Sequence, residues 1–173
     1  MKKAWIVVDM QNDFVTGALG TPEAAAALSR INERLRSVEP TDVVFYTLDT
    51  HGADYLSTAE GRKLPVVHCV KGTWGHALAE GLELPTATPV EKPTFGSLKL
   101  AETLYALVEA KQVESVELMG VCTDICVISN ALLIKACCPE LPISVEADCC
   151  AGVTPEKHLH ALDVMRSCQV DIL

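Results

Sequence analysis

Residues 115–137 read SVELMGVCTDICVISNALLIKAC. The opening SVELM (115–119) is a short apolar run of strand type, and TDICVISNALLIKAC (123–137) has the composition of a helix. Only a brief turn separates them, which is the grammar of a strand feeding a crossover helix, as parallel pairing requires. The same alternation continues outward. Upstream, AWIVV (4–8) reads as a buried strand and TPEAAAALSRINERLRSV (21–38) as a helix. That helix has Thr21 as N-cap, Pro22 at its first position and Glu23 beside it, with Ala24, Ala27, Leu28, Ile31 and Leu35 along one face. VVFYTL (43–48) is a second strand, ATPVE (87–91) a weaker one, and LKLAETLYALVEA (98–110) a helix. Downstream follow ISVEA (143–147) as a strand, TPEKHLHALDVMRSC (154–168) as a helix capped like the first, and QVDIL (169–173) as a closing strand. Between Asp49 and about Pro85 runs a long polar segment, with one short helix expected near HALAEGL (76–82). The expectation is a single domain spanning 1–173, a three-layer α/β/α fold with about six mostly parallel strands.

Composition narrows the function classes. The 173 residues are 49% hydrophobic and 21% charged, enough to bury a full core. A net charge of −9 argues against nucleic acid or an anionic membrane as the main partner. No apolar run approaches the ~20 residues of a membrane helix. AWIVV stops at Asp9, short of the ~7–15 residues of a signal-peptide core, so a cytoplasmic location is expected. The eight cysteines should then be reduced thiols, most of them small buried hydrophobes. The adjacent pairs Cys137-Cys138 and Cys149-Cys150 have Cα atoms ~3.8 Å apart, well under the ~5.5 Å of a relaxed disulfide. No CxxC occurs, which disfavours a zinc ribbon.

In parallel sheets ligands bind beyond the carboxyl ends of the strands, so the residues directly after each strand carry the functional information. Asp9 follows the first strand, Asp49 and His51 the second, Lys92 the third, and GVCTDIC (120–126) the fourth. Any one of them alone would read as a surface acid, a surface lysine or a core thiol. Together they set an acid, a base, metal-ligand types and a thiol on one rim. Cys126 falls in the first turn of its helix, where unpaired N–H groups and the dipole favour a negative sulfur. Asp9 can accept the thiol proton, and Lys92 can hold both groups charged. Asp49 and His51 sit at i and i+2 on one side of an extended segment, and His68 follows in PVVHCVKGTWG (65–75). Two imidazoles and a carboxylate suit zinc, iron or manganese, though a hydrogen-bonded histidine is the plainer reading of each. His76, His158 and His160 read as surface or helix residues.

VVDMQNDF (7–14), TLDTH (47–51), PVVHCVKGT (65–73), EKPTFGS (91–97) and GVCTDICV (120–127) together resemble the isochorismatase-like cysteine hydrolases, and among them the nicotinamidases. The segments fall in the family's order over most of the chain; KPTFGSL departs from the family's usual KxxxSAF. The resemblance implies a Rossmann-like isochorismatase fold. It implies an Asp9–Lys92–Cys126 triad, with an oxyanion hole from the N–H groups of Cys122 and Cys126 and a cis peptide between Val121 and Cys122. It also implies one divalent metal ion on Asp49, His51 and His68, with Glu60 as the fourth ligand and Ser57 behind it. Phe14 and Trp74 would flank a substrate ring. The expected activity is hydrolysis of nicotinamide to nicotinate and ammonia, in NAD salvage, by a homo-oligomer. The alternatives are a related hydrolase of a ureido, carbamoyl or maleamate compound, and a non-enzymatic dithiol or ligand-binding module using Cys122 and Cys126. Isochorismate ether hydrolysis would leave the Cys126 thiol without a task.

Overall fold

Six strands make one sheet in the computed structural model, which describes residues 2–173. They are β1 (Lys3–Val8), β2 (Val43–Asp49), β3 (Thr88–Lys92), β4 (Ser115–Val121), β5 (Ile143–Ala151) and β6 (Asp171–Ile172). Their order is β3-β2-β1-β4-β5-β6, and every pairing is parallel. The central β1 is buried from Ala4 to Val8, as a strand covered on both faces must be.

Among the described residues, six α-helices complete the layers: α1 (Asn12–Val15), α2 (Pro22–Leu35), α3 (Ala59–Lys63), α4 (Leu98–Glu109), α5 (Ile128–Cys137) and α6 (Pro155–Ser167). The α2 crossover carries the chain from β1 toward one sheet edge, whereas α4, α5 and α6 carry it toward the other. Right-handed crossovers then put α2 on one face and α4–α6 on the opposite face. In agreement, α2 packs on β4 and β5, while α5 packs against α4 and α6. The caps are those the sequence suggests: Thr21 accepts from Ala24 N–H at 3.1 Å and Thr154 from Lys157 N–H at 3.2 Å.

Between β1 and β4 the chain departs in opposite directions, so their carboxyl ends open the crevice where α/β folds seat ligands. Gly120 makes that approach possible. Its φ is +121°, and a Cβ there would lie 2.1 Å from the Val8 carbonyl oxygen. The β4–β5 register shifts here: Leu118 pairs with Val145 but Gly120 with Cys150, so the extra residues bulge from β5 and not from β4.

Away from the crevice, Glu117 is fully buried in β4 and takes Lys3 Nζ at 2.6 Å and Arg34 Nε at 2.7 Å. The same two cations lie over the Trp5 ring, at 4.4 and 5.1 Å from its centroid, and Trp5 Nε1–H donates to Asp42.

Two expectations are corrected. HALAEGL is not helical: Asn12 and Gln11 side chains take the carbonyls of Trp74 and His76, and Glu80 N–H goes to Asn12 Oδ1, so tertiary partners replace helical ones. The helical turns of this segment lie earlier, in a 3₁₀ turn at Tyr55–Ser57 and in α3, whose cap Thr58 accepts from Gly61 N–H. The helix expected over 123–137 begins instead as a π-helical turn, Thr123–Val127. Among the described residues no helix is long and apolar enough to cross a membrane, and all eight cysteines are free thiols.

Candidate active site

Asp9 comes immediately after β1 with φ +49°, a left-handed backbone that non-glycine residues adopt at a cost. Thr47 of β2 holds it in place: Thr47 Oγ1–H donates to Asp9 Oδ1 at 2.6 Å, and Asp9 N–H donates to Thr47 Oγ1 at 3.1 Å. Lys92, the last residue of β3, puts Nζ 2.6 Å from Asp9 Oδ2 and 3.4 Å from Cys126 Sγ. All three side chains are buried, at 0%, 1% and 5% exposure for Asp9, Lys92 and Cys126. The carboxylate, ammonium and thiol thus meet out of water, where charge pairing is stronger than at a surface.

Burial pushes Asp9 up and dominates; the Lys92 charge is the next influence and pulls it down, as do the hydrogen bonds of Lys92 and Thr47, while Asp49 adds to the rise. Burial likewise lifts the Cys126 thiol well above its ordinary value; Asp9 opposes the thiolate and Lys92 favours it. Lys92 goes the other way: burial disfavours its charge, but Asp9, Cys126 and Asp49 together keep it firmly an ammonium. The site thus sets a thiol and a carboxyl, both raised by burial, beside one fixed cation.

The nucleophile-type thiol rides on the π-helical turn after β4. The Val121-Cys122 peptide is cis, and Cys122 O accepts from both Ile125 and Val127 N–H groups, at 3.0 and 3.1 Å. Cys122 is half-buried, with its thiol pushed up to about 12 by burial first and then by Asp124.

A second cluster adjoins the first. Donor atoms of Asp49, His51, Glu60 and His68 all lie within 4.8 Å of one another. His51 Nε2 is 3.0 Å and His68 Nε2 3.5 Å from Asp49 Oδ2, and both are 3.7 Å from Glu60 Oε1. His68 Nδ1–H donates to Val66 O at 2.7 Å, which fixes the ring and leaves Nε2 facing the cluster. Burial would raise Asp49, yet hydrogen bonds from His51 and His68 and the Lys92 charge hold it well below the usual carboxylate range. Glu60 is pushed up by burial and then by Asp49. Two carboxylates and two imidazoles converging within 4.8 Å fit a divalent metal. Ser57 lies outside the cluster, its hydroxyl donating to Asp54 O.

Phe14 packs edge-on against His68, with ring centroids 5.5 Å apart. Trp74 is 54% exposed, its indole N–H on Glu80 at 3.1 Å, and no hydrogen bond or ring pair joins it to the cluster. Sequence reasoning overlooked Thr47, and also Gln11, whose amide donates to Asp49 O and accepts from Asp49 N–H. The available signal was polarity: both are polar residues within or just after an apolar strand.

A family model described as the Isochorismatase domain matches residues 3–173. The nicotinamidase/pyrazinamidase of Mycobacterium tuberculosis is 28% identical over 184 residues, covering 99% of this chain and 98% of that protein. The crystal structure of the pyrazinamidase of Pyrococcus horikoshii in complex with zinc superposes with a TM-score of 0.85 at 30% identity, over 100% of this chain and 99% of that one. The nicotinamidase/pyrazinamidase of Bacillus subtilis superposes with a TM-score of 0.84 at 28% identity, over 99% of both chains.

Proposed function

The chain belongs to the isochorismatase family, and from that premise we propose that it is a cysteine amidohydrolase converting nicotinamide to nicotinate and ammonia, as in NAD salvage. The observation that carries this reading is the adjacency of two sites. A buried Asp9–Lys92–Cys126 group suits acyl transfer, and a four-ligand cluster built on Asp49 stands beside it. Asp49, His51, Glu60 and His68 would hold zinc, iron or manganese. Such an ion would supply a Lewis-acid seat for a pyridine nitrogen.

In the reaction, Asp9 accepts the Cys126 proton while Lys92 stabilises the thiolate that forms. The sulfur bonds to the carboxamide carbon, and the oxyanion is received by the N–H groups of Cys122 and Cys126. Such a donor is typically worth ~10²–10³ in rate. Asp9 passes its proton to the departing ammonia as the C–N bond breaks, leaving a thioester on Cys126. Asp9 then deprotonates a water, which attacks the thioester, releases nicotinate and returns the proton to sulfur. Phe14 borders the ring.

Ammonia release from nicotinamide, measured with and without a chelator, tests the assignment. Turnover that disappears on chelation and returns with added metal supports it. Metal-independent hydrolysis of a ureido, carbamoyl or maleamate compound, with nicotinamide untouched, would replace it with the related amidohydrolase.

A further inference from the structure

Asn130 is a polar residue in the first turn of α5, only 1% exposed. Asparagine is a mediocre helix former, so a buried one calls for a tertiary reason. Its Oδ1 accepts from Ser97 N–H at 3.0 Å; its Nδ2 donates to Phe95 O at 3.2 Å and to Cys126 O at 2.8 Å. One amide thus joins two backbone groups of the 93–97 segment to the carbonyl of the cysteine itself. That segment follows directly from Lys92, at the end of an edge strand paired only with β2. It also rests on α5: a Cβ at Gly96 would come within 2.4 Å of Leu133 Cδ1 and 3.3 Å of Ser129 O.

We propose that Asn130 is a positioning residue that sets the separation between Lys92 Nζ and Cys126 Sγ. β2 fixes Lys92 from one side of its chain only; the Asn130 amide fixes the following segment, and does so against the peptide of the cysteine. Without it, the segment after Lys92 and the π-helical turn lose their direct polar link, and the 3.4 Å contact between ammonium and sulfur is no longer held from both sides. The turnover arm of the test rests on the amidohydrolase reading; the alkylation arm does not.

The experiment compares wild type with Asn130→Ala and Asn130→Ser. Two quantities are read: the rate of iodoacetamide alkylation of Cys126, mapped by peptide mass spectrometry, and kcat and KM for nicotinamide. Serine can still bond the carbonyl four residues earlier, that of Cys126, but is too short to bridge to Phe95 and Ser97. Both variants should alkylate Cys126 more slowly and lose kcat, each by about 10- to 100-fold, the scale of a small misplacement of reacting groups. KM should change by less than about twofold, since no ground-state contact is removed. Wild-type or faster alkylation in the alanine variant overturns the proposal, as does full recovery in the serine variant, which would confine Asn130 to its own helix. Should the alanine variant not fold, the serine variant alone decides by the same criterion. A wild-type protein that leaves nicotinamide intact refutes the proposed substrate, while the alkylation rates still decide the role of Asn130.

Discussion

Lys92 Nζ stands 3.5 Å from Asp49 Oδ1 while holding Asp9 at 2.6 Å. A single buried ammonium therefore serves both the thiol group and the metal-ligand cluster, and its removal leaves two carboxylates without their shared cation.

Lys92→Met should fold yet show no turnover. Asp9, already raised by burial, would rise further and take up a proton rather than remain an unpaired charge. A carboxyl whose folded pKa exceeds its unfolded value favours folding at low pH and loses that contribution as pH rises through the folded value. The stability gap between variant and wild type should thus widen from acid toward neutral pH in urea unfolding. A gap independent of pH would show that Asp9 does not titrate with Lys92.

Thr47→Val keeps the shape of the side chain and removes the hydroxyl bond to Asp9. That bond favours the carboxylate, so its loss moves Asp9 upward and shifts the acid limb of the kcat/KM profile to higher pH. A hydrogen bond to a charged group is worth ~1.5–3 kcal/mol, about 10- to 100-fold in rate if fully expressed. An unshifted acid limb would remove Asp9 from the role of base.

Cys126→Ala should abolish turnover, whereas Cys122→Ala should keep most of it, because an alanine at 122 retains the backbone N–H. Rapid quenching of the wild type should reveal an acyl adduct on the Cys126 peptide. Comparable losses in the two variants would favour a dithiol instead.

His51→Ala and His68→Ala should lose bound metal, and Glu60→Ala should weaken its retention. Burial would lower His68, but Asp49, Val66 O and Glu60 outweigh it and raise it. A proton therefore competes for Nε2 from a higher pH than at a free imidazole, and metal retention should fall as pH drops through that raised value. Metal content after dialysis at stepped pH measures this. Metal retention in His68→Ala equal to that of the wild type across the pH range would exclude His68 as a ligand.

The sheet was legible because buried parallel strands such as AWIVV and VVFYTL are nearly continuous apolar runs, and the caps at Thr21 and Thr154 follow local rules. The rim was legible because polar residues at strand ends stand out against those runs. What escaped depends on distant partners. HALAEGL carries helical residues, yet its backbone is engaged by Gln11 and Asn12, more than sixty residues earlier. The π-helical turn at Thr123–Val127 has no signature in residue type. Thr47 and Asn130 stand out as polar residues in apolar surroundings, but their tasks show only when Asp9 and the 93–97 segment are set beside them.

The two tryptophans occupy opposite surroundings, and this gives the protein a built-in pair of optical reporters. Trp5 is shielded beneath Lys3 and Arg34 and should emit at short wavelength, out of reach of aqueous quenchers. Trp74 stands in solvent on the loop that leads away from His68 and should emit at long wavelength, open to iodide. Its carbonyl is held by Asn12 and its indole by Glu80, so loosening of that loop changes the red component alone. Melting of the sheet changes the blue one. A quenching titration can then separate loss of the ligand loop from loss of the fold in one cuvette, with no label attached.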